Sequence, residues 1–250
     1  MDFTSFTFFV TNMALLAAGL FLWLERDNVN PKWKTALSVS GMVCFIAAVH
    51  YYYMRGNMDM IDVVAIRYID WLITVPLQMV EFYIVLAAVT AVSAGVLHRL
   101  LGFSVLMLVF GYLGETGAVA AINSTTGFVG GMLCWGLMLR EIWSGEAAQV
   151  NAGSKNAAAH YAFDGMKKIV TFGWAIYPLG YFLGYFTTGG VDMDLTNSVY
   201  NLADFVNKIL IGMIVYAAAK MDTKYSIHFI KKRPSLEGLF FIQINHLIDF

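Results

Sequence analysis

One apolar stretch of the chain, "RYIDWLITVPLQMVEFYIVL", carries three charged side chains: Arg67, Asp70 and Glu81. A charge at the centre of a bilayer costs at least about 2.5–3.5 kcal/mol, so intramembrane charges are usually paired or functional. At about 100° per residue, the polar residues of this stretch share one helix face, and they are Arg67, Asp70, Thr74, Gln78 and Glu81. The two carboxylates lie about 16 Å apart along the helix axis. This spacing favours a proton relay, and a polar stripe that only stabilises the bundle is the alternative.

A second group lies in the last long apolar stretch, where Lys208 follows Asp204 by four residues and shares its helix face. A buried ammonium group is costly unless it is paired, neutral or covalently modified. Snorkelling to the membrane surface is the alternative, but eleven mostly apolar residues separate Lys208 from Lys220. A desolvated amine suits Schiff-base chemistry with an aldehyde. Asp70 and Asp204 are then the candidate counterions.

Several aromatic residues and one histidine are further candidate site residues. Trp174 and Tyr177 are about one helical turn apart in "FGWAIYPLGYF", and Trp71 follows Asp70 directly. Flat aromatic side chains can enclose a conjugated ligand, although simple packing is their more common role. His50 reaches the depth of Asp70 if the two helices are antiparallel. It then either pairs with that carboxylate and tunes its protonation, or only packs.

The composition indicates a membrane protein. Of the 250 residues, 59% are hydrophobic and 13% are charged, with a mean hydropathy of +0.65, whereas a soluble domain is about 45–50% apolar and about 25% charged. The net charge of -1 argues against a nucleic-acid partner. The two cysteines, Cys44 and Cys134, lie inside apolar runs and are expected to be buried thiols.

Seven apolar segments are long enough to cross a bilayer as helices, and we predict them at residues 6–25, 35–54, 64–86, 95–114, 118–142, 169–186 and 196–220. The predicted fold is therefore all-α, a bundle of seven transmembrane helices that forms one domain over residues 1–225. Residues 144–160 are predicted to be a connecting loop.

Lysine and arginine predict the orientation of the bundle in the membrane. Most of them flank the connections after the first, third and fifth segments or lie in the C-terminal tail, whereas the opposite side holds only Arg55. We therefore expect the N-terminus outside and the C-terminus in the cytoplasm. The tail, residues 226–250, is either an interfacial segment or an added, non-native one.

Four motifs, "RYIDWLITVPLQMVEFY", "HYYYMRG", "WAIYP" and "LADFVNK", make the chain resemble the microbial rhodopsins and, among them, the proteorhodopsins. The resemblance covers residues 5–225 and implies all-trans retinal bound to Lys208 as a protonated Schiff base. It implies Asp70 as counterion and proton acceptor, Asp204 as second counterion, and Glu81 as cytoplasmic proton donor. It implies further roles: Arg67 on the outward path, His50 paired with Asp70, Thr74 in the pump motif, and a retinal pocket of Trp71, Trp174, Tyr177, Pro178 and Tyr200.

The resemblance also implies a function. Asp70, Thr74 and Glu81 together resemble the pattern of light-driven outward proton pumps. Gln78 occupies the position where blue-absorbing members carry glutamine and green-absorbing members carry leucine. A slow-cycling photosensory rhodopsin that signals through a transducer is the alternative function. A retinal-free receptor or carrier would leave Lys208 without a role.

Proton release is a point where the sequence departs from the archaeal pumps of this type. The connection before the last segment holds Asp192 and Asp194 but no glutamate pair for fast outward release, so the release group stays open. The resemblance further implies a multi-pass protein of a bacterial inner membrane. Its partners are then the lipid bilayer, protons and further copies of itself, in a homo-oligomer that is a pentamer or hexamer.

Overall fold

The computed structural model describes residues 2–56, 63–186 and 193–232, with side chains as far as Ser226. Within these ranges nearly the whole chain is helical and no strand occurs. The α-helices are α1 (Phe3–Glu25), α2 (Lys34–Gly56), α3 (Val63–Ala87), α4 (Ala94–Thr116), α5 (Ser124–Trp143), α6 (Glu146–Gly153), α7 (Ala157–Lys168), α8 (Ile176–Phe186) and α9 (Met193–Lys232). Asp192 and residues 233–250, about which we also made predictions from the sequence, lie outside the described residues.

Seven helical stretches form the transmembrane bundle. Six of them are long and apolar enough to cross a membrane: Phe3–Asn28, Pro31–Gly56, Val63–Ala87, Ala94–Thr116, Ala157–Phe186 and Met193–Ser226. The remaining one, α5, has 20 residues and carries Arg140 and Glu141 near its end. Helices of this length span the hydrocarbon core, which is about 30 Å thick. The prediction of an all-α bundle is confirmed.

The third helix buries the polar face that the sequence predicts. α3 runs unbroken through Pro76, as membrane bundles allow where neighbouring groups satisfy the freed backbone. The predicted stripe faces the interior, and each of its polar residues is at most 2% exposed: Arg67, Asp70, Thr74, Gln78 and Glu81. The face of α3 that carries the chemistry therefore points at the other helices and away from lipid.

The connection between α4 and α5 corrects one predicted boundary. Gly117 has a φ of 63°, a left-handed conformation that ends α4. Asn123 then caps α5 by accepting a hydrogen bond from the backbone N–H of Thr126 at 3.0 Å. The segment predicted to start at residue 118 therefore starts at Ser124. The two helices also approach closely, since a Cβ atom on Gly127 would lie 2.5 Å from the Cα atom of Gly114.

The prediction of a loop over residues 144–160 is wrong. This alanine-rich stretch contains α6 and the start of α7, in keeping with the high helix propensity of alanine. Asn156 caps α7 by accepting from the backbone N–H of Ala159 at 2.9 Å. Arg99 of α4 anchors α6, because its guanidinium group donates to Glu141 at 2.9 Å and to Glu146 at 2.7 Å.

The last two predicted segments are also longer than expected. The sixth begins at Ala157 and continues through a π-helical segment, Ile169–Gly173, into α8. The seventh reaches Lys232 as one helix, α9. The π segment immediately precedes Trp174, so it sets where the aromatic residues of α8 face.

Candidate functional site

The centre of the bundle holds one lysine between two aspartates. The Nζ atom of Lys208 on α9 lies 2.6 Å from Oδ2 of Asp70 on α3 and 2.8 Å from Oδ2 of Asp204, one turn earlier on α9. All three side chains are buried. Charges this far from water persist only when they are paired and hydrogen-bonded. The structure thus brings together the three residues that the sequence proposed as amine and counterions.

Asp204 is held by three neutral donors in addition to Lys208. Its carboxylate accepts hydrogen bonds from the Tyr51 hydroxyl at 2.9 Å, the Tyr177 hydroxyl at 2.7 Å and the indole N–H of Trp71 at 3.2 Å. Tyr51 was not predicted as a site residue, although it lies in the motif "HYYYMRG". Its spacing of seven residues from buried Cys44 is the helical signal that distinguishes it from the two tyrosines that follow.

Asp70 has fewer partners. Its Oδ1 atom lies 3.1 Å from Nδ1 of His50 on α2, and its Oδ2 atom accepts from Lys208. Thr74 donates its hydroxyl proton to the backbone carbonyl of Asp70 at 3.0 Å, so it contacts the helix turn and not the carboxylate. Pairing with Asp70, one of the two roles considered for His50, is present in the structure as a contact between α2 and α3.

Glu81 lies on the same face of α3 as Asp70, about 16 Å along the helix axis, and is fully buried. Its Oε1 atom accepts a hydrogen bond from the hydroxyl of Ser40 on α2. Its Oε2 atom has no hydrogen-bond partner among the described residues. The carboxyl group is therefore enclosed, and the Ser40 hydroxyl is its one hydrogen-bond partner in the part of the chain that the structure describes. Ser40 was not predicted, since serine is common in membrane helices.

Arg67 lies on the other side of the lysine site. Its guanidinium group donates to the Tyr51 hydroxyl at 3.1 Å and to side-chain oxygens of Asn197 at 3.1 Å and Asn201 at 3.0 Å. It is buried with aromatic rings around it. Because Tyr51 donates in turn to Asp204, Arg67 is connected to the lysine site through one hydroxyl group.

A largely apolar cavity opens beside Lys208. It encloses about 810 Å³ of space between the atoms, including the part that is open at the surface. All seven of the retinal-contacting residues predicted from the sequence line it: Trp71, Gln78, Trp174, Tyr177, Pro178, Tyr200 and Lys208. Three of the rings are packed edge to face, with the Trp71 centroid 5.2 Å from that of Tyr177 and 5.4 Å from that of Tyr200.

The π segment fixes one wall of this cavity. A π-helical turn leaves backbone carbonyls free, and inside a membrane they need donors from elsewhere. Trp135 of α5 donates to the carbonyl of Val170 at 3.2 Å, and Asn207 of α9 donates to that of Gly173 at 3.0 Å. Asn207 was not predicted as a site residue. It directly precedes Lys208 and also lines the cavity, so the segment that leads to Trp174 is attached to the helix that carries the lysine.

Seven helices around a buried lysine, with paired carboxylates and an aromatic cavity, define a membrane protein built to hold a conjugated carbonyl ligand. The sequence of residues 2–221 matches the family model of bacteriorhodopsin-like proteins. A green-light absorbing proteorhodopsin of gamma-proteobacterium EBAC31A08 is 47% identical over 224 residues, which are 89% of this chain and 88% of that protein. A blue-light absorbing proteorhodopsin of gamma-proteobacterium Hot 75m4 is 44% identical over 225 residues, with the same shares covered.

A solved structure agrees with these relatives. The crystal structure of blue light-absorbing proteorhodopsin from Med12 superposes with a TM-score of 0.77 at 41% identity, covering 88% of this chain and all of that one. The chain therefore belongs to the bacteriorhodopsin-like family, and the predicted resemblance to microbial rhodopsins is confirmed.

Retinal is the chromophore of this family, and the site in this chain fits it. The cavity has aromatic walls for a polyene, and the Lys208 amine lies at its lining. The Nε2 atom of Gln78 is buried there without a hydrogen-bond partner among the described residues, which leaves a polar group next to the ligand.

Proposed function

We propose that this chain is a light-driven outward proton pump in which retinal is bound to Lys208. The observation that carries the proposal is the position of Lys208 Nζ, 2.6 Å from Asp70 and 2.8 Å from Asp204, with a second buried acid, Glu81, on the same face of α3 as Asp70. An amine, an acceptor and a donor in one line are the minimum that directional proton transfer needs. Transport, and not enzymatic conversion of a substrate, is the activity this arrangement supports.

Retinal, when bound, absorbs light and changes shape, which alters the surroundings and the proton affinity of Lys208 Nζ. The chain then has to provide an acceptor for the proton on Nζ. Asp70 is the proposed acceptor, because its Oδ2 atom is the carboxylate oxygen nearest to Nζ, at 2.6 Å against 2.8 Å for Asp204. The carboxylate of Asp204 also accepts three further hydrogen bonds, whereas that of Asp70 contacts only His50 besides Lys208. The proton then moves from Nζ to Oδ2 of Asp70.

Resupply of the proton falls to Glu81. Because this carboxyl group is enclosed and bonded only to the Ser40 hydroxyl, it holds a proton in the resting protein. Once Nζ has lost its proton, Glu81 can supply another, because it is a buried acid on the side of Lys208 away from Asp70. Proton transfer from Glu81 to Nζ, uptake of a proton by Glu81 from the adjoining solution, and release of the proton from Asp70 on the opposite side together complete one cycle.

The direction of transport rests on the orientation predicted from the basic residues. With the N-terminus outside, Asp70 and Arg67 lie towards the exterior and Glu81 towards the cytoplasm, so net transfer is outward. Because the proteorhodopsin relatives come from bacteria, we also propose that the protein lies in the inner membrane of a bacterium. We further expect a homo-oligomer, a pentamer or hexamer.

The colour of the protein is proposed to be blue-absorbing. Both green- and blue-absorbing relatives are similar to this chain, so overall identity does not decide between them. The support is Gln78, whose amide lines the cavity with an unpartnered nitrogen. A polar amide beside the polyene interacts differently with its ground-state and excited-state charge distributions.

The proposal is tested first at the lysine. Protein reconstituted with all-trans retinal is expected to show a visible band that hydroxylamine bleaches, and Lys208→Ala should show none. After a flash, loss of the proton from Nζ should be fast in the unchanged protein and slow in Asp70→Asn. Fast loss in Asp70→Asn would remove Asp70 from the acceptor role. A very slow cycle with no proton flux would favour the photosensory alternative.

A further inference from the structure

Buried polar side chains join α1 to α9 on the Arg67 side of the lysine site. We call this set the α1–α9 seam, and its members are each at most 9% exposed: Thr4, Thr7, Thr11, Asn197, Ser198 and Asn201. The three threonines lie on one face of α1 because they are spaced by three and four residues. Polar groups this deep in a membrane bundle need partners, and here the partners lie on the facing helix.

The seam supplies the outward contacts of Arg67. A guanidinium group has five donors and no acceptor, so it needs oxygen atoms around it. Asn197 and Asn201 each place a side-chain oxygen at hydrogen-bond distance, 3.1 Å and 3.0 Å. None of the ion pairs found among the described residues includes Arg67, so neutral amides hold this charge. An amide can accept a hydrogen bond from the guanidinium group only if its oxygen, and not its nitrogen, faces that group.

Thr7 determines which end of the Asn201 amide faces Arg67. Its hydroxyl donates its one proton to the backbone carbonyl of Thr4 at 2.7 Å. The hydroxyl oxygen is therefore left as an acceptor, and the Nδ2 atom of Asn201 donates to it at 3.0 Å. With the nitrogen committed to Thr7, the Oδ1 atom of Asn201 must point to Arg67.

We propose that Thr7 and Asn201 are positioning residues for Arg67. Thr7 orients the Asn201 amide, and the amide holds the guanidinium group where it can also donate to Tyr51. Tyr51 in turn donates to Asp204 at 2.9 Å, so the position of Arg67 is transmitted to the carboxylates around Lys208. The effect on proton transfer rests on the proposed function, whereas the effect on the position of Arg67 does not.

Thr11 provides a matched control. It is as deeply buried as Thr7, lies on the same face of α1 and also bonds Asn201, but through the backbone carbonyl at 3.0 Å. Thr7→Val and Thr11→Val therefore remove the same hydroxyl from equivalent surroundings, and only the first frees the Asn201 amide to rotate. Thr7→Ser keeps the hydroxyl and should behave like the unchanged protein.

The experiment records the side-chain nitrogen-15 NMR signals of arginine in the full chain, with Arg67 identified by its loss in Arg67→Lys. We expect Thr7→Val to shift the Arg67 signal and to speed exchange of its N–H protons by about three- to tenfold, the range for losing one buried hydrogen bond. Thr7→Ser and Thr11→Val should leave both unchanged. If Thr7→Val does not fold, Thr7→Ala carries the same expectation.

An unchanged Arg67 signal in Thr7→Val, or an equal shift in Thr11→Val, would overturn the proposal. A second measurement links it to function: a pH-sensitive dye follows proton release after a flash, and the release time should change severalfold in Thr7→Val only. If the NMR result holds while the unchanged protein releases no proton, the positioning role stands and the proposed pump fails. If release is normal but the NMR result is absent, only the positioning role fails.

Discussion

Replacing Glu81 with glutamine tests the proposed donor half of the pathway, because it removes one titratable proton and almost no volume. Glu81 is fully buried, its Oε1 atom accepts from Ser40, and its Oε2 atom has no partner among the described residues. In the proposed function this acid is a proton store at a fixed place, about 16 Å along α3 from Asp70. Glutamine keeps the shape and the bond to Ser40 but stores no proton.

The size of the effect follows from the change of proton source. While Glu81 is loaded, Lys208 regains its proton from a positioned group, and the rate should vary little with pH near neutrality. In Glu81→Gln the proton must come from the solution. The rate of Lys208 reprotonation should then follow the proton concentration and fall about tenfold for each unit by which the pH rises. Near neutral pH we expect a slowing of at least about tenfold, which corresponds to about 1.4 kcal/mol in the barrier.

Flash spectroscopy of protein reconstituted with retinal measures this rate at several pH values. Asp222→Asn is the control, because Asp222 is also a buried acid and also follows Lys208 towards the C-terminal end of α9, but it is paired with the Lys32 ammonium group at 3.0 Å. It should leave the rate and its pH dependence unchanged. A rate in Glu81→Gln that stays independent of pH would refute the donor role, and a new pH dependence in Asp222→Asn would move that role to Asp222.

Three other substitutions test separate contacts of the site. Ser40→Ala removes the hydroxyl that stabilises the charged form of Glu81 when Glu81 gives up its proton. Reprotonation of Lys208 in the same flash assay should therefore slow by about three- to tenfold. An unchanged rate would remove Ser40 from the pathway. Gln78→Leu replaces the amide at the cavity wall, and we expect the visible band to move to longer wavelength; an unmoved band would separate Gln78 from the colour. Asn207→Leu leaves the Gly173 carbonyl without its side-chain donor, which should lower the free energy of unfolding by about 1–3 kcal/mol. Hydrogen exchange in the π segment should also become faster. Unaltered exchange would show that Asn207 does not hold this segment.

The residues that could be predicted from sequence are those whose chemistry conflicts with their surroundings. Lys208, Asp70 and Glu81 stand out because a charge in an apolar segment costs free energy unless it pairs or acts. Periodicity then places Asp70 and Glu81 on one face. Tyr51 and Asn207 could not be found in this way, because hydroxyl and amide groups are common in membrane helices. Periodicity indicates that Tyr51 is buried, but the partners of both residues lie on other helices and can be identified only in the packed bundle.

Helix boundaries were predicted less well where local signals decide them. The start of α5 depends on Gly117 and on the Asn123 cap, neither of which changes the hydropathy of the segment. Residues 144–160 are polar and small, which favours a loop by composition. Alanine propensity and the contacts of Arg99 make part of this stretch helical instead. Apolar length therefore locates a membrane span, and caps and neighbouring side chains set its ends.

The most direct test of the central claim is a pH electrode in an unbuffered suspension of cells that contain the protein and retinal. Illumination is expected to acidify the medium, a protonophore should abolish the change, and Asp70→Asn, with its visible band intact, should produce none. The absence of a light-driven pH change in cells whose protein shows the visible band would contradict outward pumping.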